Sequence, residues 1–136
     1  MRVDCALLAD AVTVREGLLH ILGGGVTRAN RPAFPAPMLL SLGLRIMVHP
    51  TEIDNPHVVR ILVLQEDGQQ VAETTMGINP PPPEARAAFQ PGEEWSLPLA
   101  LNLSPVALPA AGAYSVEVLI DGNHHASVPF LSLKQP

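Results

Sequence analysis

The chain has 136 residues, 47% of them hydrophobic and 15% charged, where about a quarter charged is ordinary for a globular domain. Its net charge of −5 sets it against a phosphate backbone, which argues against a nucleic-acid partner. The one cysteine, Cys5, permits no intrachain disulfide, and no apolar run approaches the roughly 20 residues needed to span a bilayer as a helix, so a soluble cytoplasmic protein with no membrane partner is expected.

Residues 2–14 form a first apolar segment, read as a strand on which Asp4 and Asp10, six apart, share a face. Helix competes here, because Ala and Leu are good helix formers. Arg15-Glu-Gly17 reads as a turn and Leu18–Leu22 as the return strand, which favours a hairpin. Gly23-Gly-Gly25 ends it in a bulge or reversal. Arg28 to Pro37 carries three prolines without periodicity and reads as a loop or a crossover between sheets.

From Met38 to Val48 the pattern turns strictly alternating. Met38, Leu40, Leu42, Leu44, Ile46 and Val48 fall on one face; Leu39, Ser41, Gly43, Arg45 and Met47 fall on the other. A polar, proline-bounded connection over 49–56 leads to a strand over 58–64. Glu66-Asp-Gly68 supplies a hairpin turn, and Val71 to Ile78 pairs back across it. Pro80-Pro-Pro-Pro83 cannot donate ladder hydrogen bonds and should be extended, with one helical turn possible over 84–89. Trp95, Leu97, Leu99, Leu101 and Leu103 mark a further one-sided strand, on which Pro98 predicts an edge or bulge.

Leu108, Gly112 and Tyr114 then precede an alternating run with Tyr114, Val116, Val118 and Ile120 inward. That order resembles the tyrosine corner of Greek-key sandwiches. Asp121-Gly122 turns the chain into a last strand over 126–133. With eight or nine strands and no repeat or domain boundary, residues 1–136 read as one all-β domain. The expected form is an antiparallel β-sandwich of immunoglobulin-like or jelly-roll type.

A resemblance appears once these pieces are joined. Ala6-Leu-Leu-Ala-Asp-Ala11, Leu19-His-Ile-Leu-Gly-Gly-Gly25 and Arg31-Pro-Ala-Phe-Pro35, followed by the Asp67-Gly68 hairpin and the Gly112-Ala-Tyr114 corner, look like a family of short uncharacterised bacterial proteins catalogued as a domain of unknown function. The likeness covers most of the chain. Its motifs are turns and strand ends, so it implies a β architecture and no catalytic residues.

Candidate sites are few. His49, Glu52, Asp54 and His57 gather in one connection and carry the donor types of a divalent-metal site, but without a tight pair such as His-x-His a solvated loop is the plainer reading. Gly23, Gly24 and Gly25 with Arg28 and Arg31 could form an anion nest, although no Walker lysine or strand–glycine–helix context accompanies them. His124 and His125 adjoin a turn and point to opposite faces. Cys5 sits in an apolar strand, where a thiol behaves as a small hydrophobe, with His20 on the return strand. The tetraproline is read as a stiff connection rather than a ligand for an aromatic-lined domain. Asn102-Leu-Ser104 is a sequon followed by Pro105 and carries no weight.

The apolar excess is the stronger clue. Leu39, Met47, Leu119, Leu131 and Leu133 all fall on outward series, where a monomer would leave them wet. The expectation is a non-enzymatic interaction or assembly module without cofactor, its partner a second copy in a homodimer or another protein. The alternatives are an accessory subunit of a larger particle, or a metal- or anion-binding enzyme or sensor using the 49–57 loop or the glycine region.

Overall fold

Alternation of apolar and polar side chains lays out the sheets, and turn residues cut them to length. The computed structural model describes residues 1–136. Its strands are β1 (Arg2–Ala9), β2 (Ala11–Arg15), β3 (Leu18–Leu22), β4 (Arg28–Arg31), β5 (Ala36–Pro37), β6 (Ser41–Val48), β7 (His57–Gln65), β8 (Gln70–Ile78), β9 (Trp95–Asn102), β10 (Ala107–Leu108), β11 (Gly112–Ile120) and β12 (Asn123–Lys134). One helical turn, α1 (Pro83–Ala87), follows the polyproline stretch.

Two sheets form the layers. One has three strands in the order β1-β6-β9, the other five in the order β4-β12-β11-β7-β8. Every pairing is antiparallel except β4 with β12. β5 with β10 and β2 with β3 make two small ladders beside them. Twenty buried side chains join in one core, with β6 giving Leu42, Leu44, Ile46 and Val48, and β7 and β11 giving Val59, Ile61, Val63, Val116, Val118 and Ile120. Each such burial is worth about 1.5–3 kcal/mol. This is the β-sandwich that the alternation predicts.

Four details differ from the sequence reading. The segment 2–14 is not one strand: β1 is bulged at Asp4 and stops at Ala9. The Asp10 N–H turns instead to the Leu22 carbonyl at 3.1 Å, so Asp4 and Asp10 do not share a face. Residues 28–37 are not all loop, because β4 and β5 lie within them. β6 begins at Ser41, since Leu39 adopts a positive φ of 56° and its N–H bonds Ser104. With the first segment split and three short strands added, the count is twelve rather than eight or nine.

The β2–β3 hairpin lies over the outer side of the three-stranded sheet. A methyl group on Gly43 would sit 3.5 Å from both Ile21 and Val12, so the absence of a side chain there lets the hairpin approach. The corner forms as its motif implies. The Tyr114 hydroxyl donates to the Ala110 carbonyl at 2.5 Å, its ring stacks on Phe130 with centroids 5.5 Å apart, Leu108 is buried, and Gly112 holds a φ of 150°.

Candidate functional site

The 49–57 connection does not gather its donors. His57 opens β7 and is buried. Its Nε2 donates to the Glu52 carbonyl at 2.8 Å, and its Nδ1 lies 2.6 Å from the Asp121 carboxylate. Asp121 also accepts the Val58 N–H at 2.9 Å, and with Gly122 it takes the paired positive φ angles of a tight hairpin turn. Burial pulls the His57 pKa down, but the Glu52 and Asp121 contacts outweigh it and the net shift is upward. The bond from Val58, then that from His57, holds the Asp121 carboxyl below its usual range.

The other three donors are engaged elsewhere. The Glu52 carboxylate takes the Met1 amine at 2.7 Å, Asp54 pairs with Arg86 at 2.9 Å, and exposed His49 contacts Thr51. No group of three or more His, Cys, Asp or Glu side chains is placed to hold a metal ion. His57 is thus a staple between the connection and the β11–β12 turn, where an exposed loop was expected.

The glycine region is likewise occupied by its own structure. The N–H groups of Gly25 and Val26 both donate to the Leu8 carbonyl at 2.9 Å. The Arg31 guanidinium donates to the carbonyls of Asn30, Pro37 and Met38, which leaves exposed Arg28 as the nearby cation. The Asp10 carboxylate crowds Gly23, an unfavourable neighbour for an anion. Cys5 lies opposite Arg45 on β6 and His20 opposite Thr13 in the separate hairpin, so the two are not on paired strands.

His124, Glu117 and Ser127 have the residue types of a nucleophilic triad but not its wiring. The same Nε2 faces Glu117 at 3.2 Å and Ser127 at 3.1 Å, and Ser127 bonds Glu117 directly. A relay needs one ring nitrogen for the orienting acid and the other for the nucleophile.

One concavity is apolar. A groove of about 480 Å³ opens between β8 and β9, lined by Met76, Ile78, Trp95, Leu97 and Leu99 and walled by the Pro80–Pro82 segment. The tetraproline therefore forms one side of the gap between the layers.

The outward apolar residues divide between surfaces. Leu39 is 52% exposed beside the β5–β10 ladder, and half-buried Met47 lies outward on β6. Leu119, Leu131 and Leu133 lie on the opposite side of the sandwich, outward on β11 and β12, with Leu131 39% exposed. Sequence reasoning missed the densest group, exposed Val14, Leu18, Ile21 and Leu22 on the β2–β3 hairpin. Its signal was present: Val12, Val14, Leu19 and Ile21 share one face, yet Leu18 and Leu22 make the other face apolar too.

Edge character completes the surface. β4 is four residues long; β1 is bulged at Asp4, with Arg45 bonded to that carboxylate; β9 carries Pro98. β8, at the far edge of the larger sheet, has a regular run over 72–78 with neither proline nor bulge.

These features define an all-β sandwich whose polar groups are spent on its own turns and whose outer surfaces keep exposed apolar side chains. The chain belongs to the family of unknown function DUF6941, which it matches over residues 4–131. No curated protein matches it significantly. No helix is long and apolar enough to cross a membrane.

Proposed function

We propose that this protein is a non-enzymatic interaction module, cytoplasmic and immunoglobulin-like, that assembles with a second copy of itself. The observation that carries the reading is apolar: Val14, Leu18, Ile21, Leu22, Leu39, Val58 and Leu131 are all large, hydrophobic and exposed. Exposed apolar side chains of this size, spread over several surfaces, are what protein partners cover. The tied-up state of the titratable side chains supports the same reading, since chemistry needs convergent groups with open positions. The tyrosine corner favours the immunoglobulin-like form of the sandwich over a jelly roll.

Light scattering at micromolar concentration tests it, with a dimer mass as the expected result. A monomer mass throughout that range overturns self-assembly. The second reading, an accessory subunit of a larger particle, draws on the hairpin: its apolar residues form a patch separate from Leu131 and Val58 on the far sheet, as two different partners would need. Affinity purification from the native cell, with Leu18→Ser/Leu22→Ser as the control, tests that reading. A partner retained by the wild type and lost by the variant supports it.

A further inference from the structure

We infer that the edge of β8 is the self-assembly surface, pairing antiparallel with β8 of a second copy so that two five-stranded sheets become one of ten. The inference rests on the self-assembly proposed above but assigns it to a strand edge, which leaves the exposed hairpin residues, Leu39 and Leu131 for other contacts.

An edge strand presents a row of unpaired N–H and C=O groups, and natural sandwiches blunt such rows. Three of the four long-sheet edges here are blunted. β4 is short, β1 is interrupted at Asp4 and gives its Leu8 carbonyl to Gly25 and Val26, and β9 has Pro98 in its middle. β8 stands apart. Its one irregularity, at Val71, lies at its start, and the run Ala72-Glu-Thr-Thr-Met-Gly-Ile78 is regular.

The side chains suit a like partner. Two-fold symmetry makes the contact self-complementary and closed. Pairing that preserves the faces of the sheet must be centred on one residue of the strand. Centring on Glu73 sets two carboxylates directly opposite, which is unfavourable. Centring on Thr74 or Thr75 sets each Glu73 opposite an uncharged Thr75 or Gly77 of the copy. On the Thr74 centre, the second copy's Arg60, which is level with Thr75 on β7, stands in the same cross-strand row as Glu73. That row joins opposite charges across the axis, while within each copy Arg60 already holds Glu73 at 2.8 Å and keeps its carboxyl below the usual range.

The pairing also covers apolar surface. Ala72, Thr74 and Met76 lie opposite Val63, Ile61 and Val59 of β7 and so share the inward face, and Met76 and Ile78 line the groove beneath Trp95. The added strand would close the open side of that groove.

Two experiments test the edge on the full chain. In a Cys5→Ser background, Thr74→Cys and Thr75→Cys place sulfurs at the two candidate axes, with Leu22→Cys and Leu131→Cys as probes of the other apolar surfaces. Oxidation should cross-link one or both threonine positions and neither leucine position. Thr74→Lys/Thr75→Lys brings like charges together at the axis and should weaken dimerisation about tenfold or more, with an unchanged circular-dichroism spectrum. A dimer that cross-links only through Leu22 or Leu131, or that keeps its affinity with both lysines, overturns the β8 edge and leaves self-assembly standing. A wild-type monomer overturns both.

Discussion

At the scale of single residues, polar atoms fix local geometry, and their loss can be predicted. Tyr114→Phe removes the bond to the Ala110 carbonyl but keeps the stack on Phe130. It should cost about 0.5–1.5 kcal/mol in urea unfolding. Ser132 is the opposite case. Its hydroxyl is buried without a partner, so Ser132→Ala should raise stability, by about 1 kcal/mol in the same assay. His57 should make stability depend on pH. A raised folded pKa adds stability fully present below the ordinary 6.5 and lost as pH rises through the folded value. Asp121, with a lowered pKa, adds stability present above its ordinary 3.8 and lost as pH falls through the folded value. The pair is therefore most stabilising in the mildly acidic range between them. Urea midpoints of the wild type should fall as pH rises from about 6 to about 8, and His57→Gln should flatten that slope. An equal slope in the variant would place the titration elsewhere.

Among the elements, the hairpin is held by what its neighbour lacks. Gly43→Ala adds a methyl at ordinary contact distance from Val12 and Ile21 and should be tolerated. Gly43→Leu has no such room and should lift β2–β3 off the sheet, so trypsin should cut after Arg15, the last residue of β2 before the hairpin turn, faster than in the wild type. Equal digestion rates would mean that the hairpin is not held through this contact. The same elements show how far the sequence can be read. β6 was legible because its apolar residues alternate without interruption, and the corner because Gly112 and Tyr114 leave few other geometries. The end of β1 was not legible, since Ala9 and Ala11 carry the apolar segment on past Asp10 with no Gly or Pro to mark a turn. Only the bond from Asp10 to Leu22 shows where the chain leaves one sheet for another. β4 was hidden for a different reason: its partner, β12, lies about a hundred residues away in sequence and runs parallel, so no turn announces the pairing. The role of His57 was hidden too, because its partner Asp121 lies 64 positions away.

For the whole molecule, the open question is how many edges remain available once β8 is paired. Pro98 lies opposite Arg45 in a ladder that runs from Val48–Trp95 to Ser41–Asn102 without a register break. That continuity fits an imide nitrogen facing the open edge rather than β6, where it withholds one donor from any incoming strand. A closed dimer needs such a block, because a second pairing edge would extend each dimer into an open chain. Pro98→Thr restores the donor in a residue type that strands favour, and leaves the core-facing Leu97 and Leu99 in place. The variant should fold with the wild-type circular-dichroism spectrum yet scatter as species larger than a dimer, growing with concentration. Combining it with Thr74→Lys/Thr75→Lys should bring the mass back to a dimer paired through β9 alone. If Pro98→Thr keeps the wild-type mass at every concentration, the proline is a packing residue of β9 and not the guard of its edge.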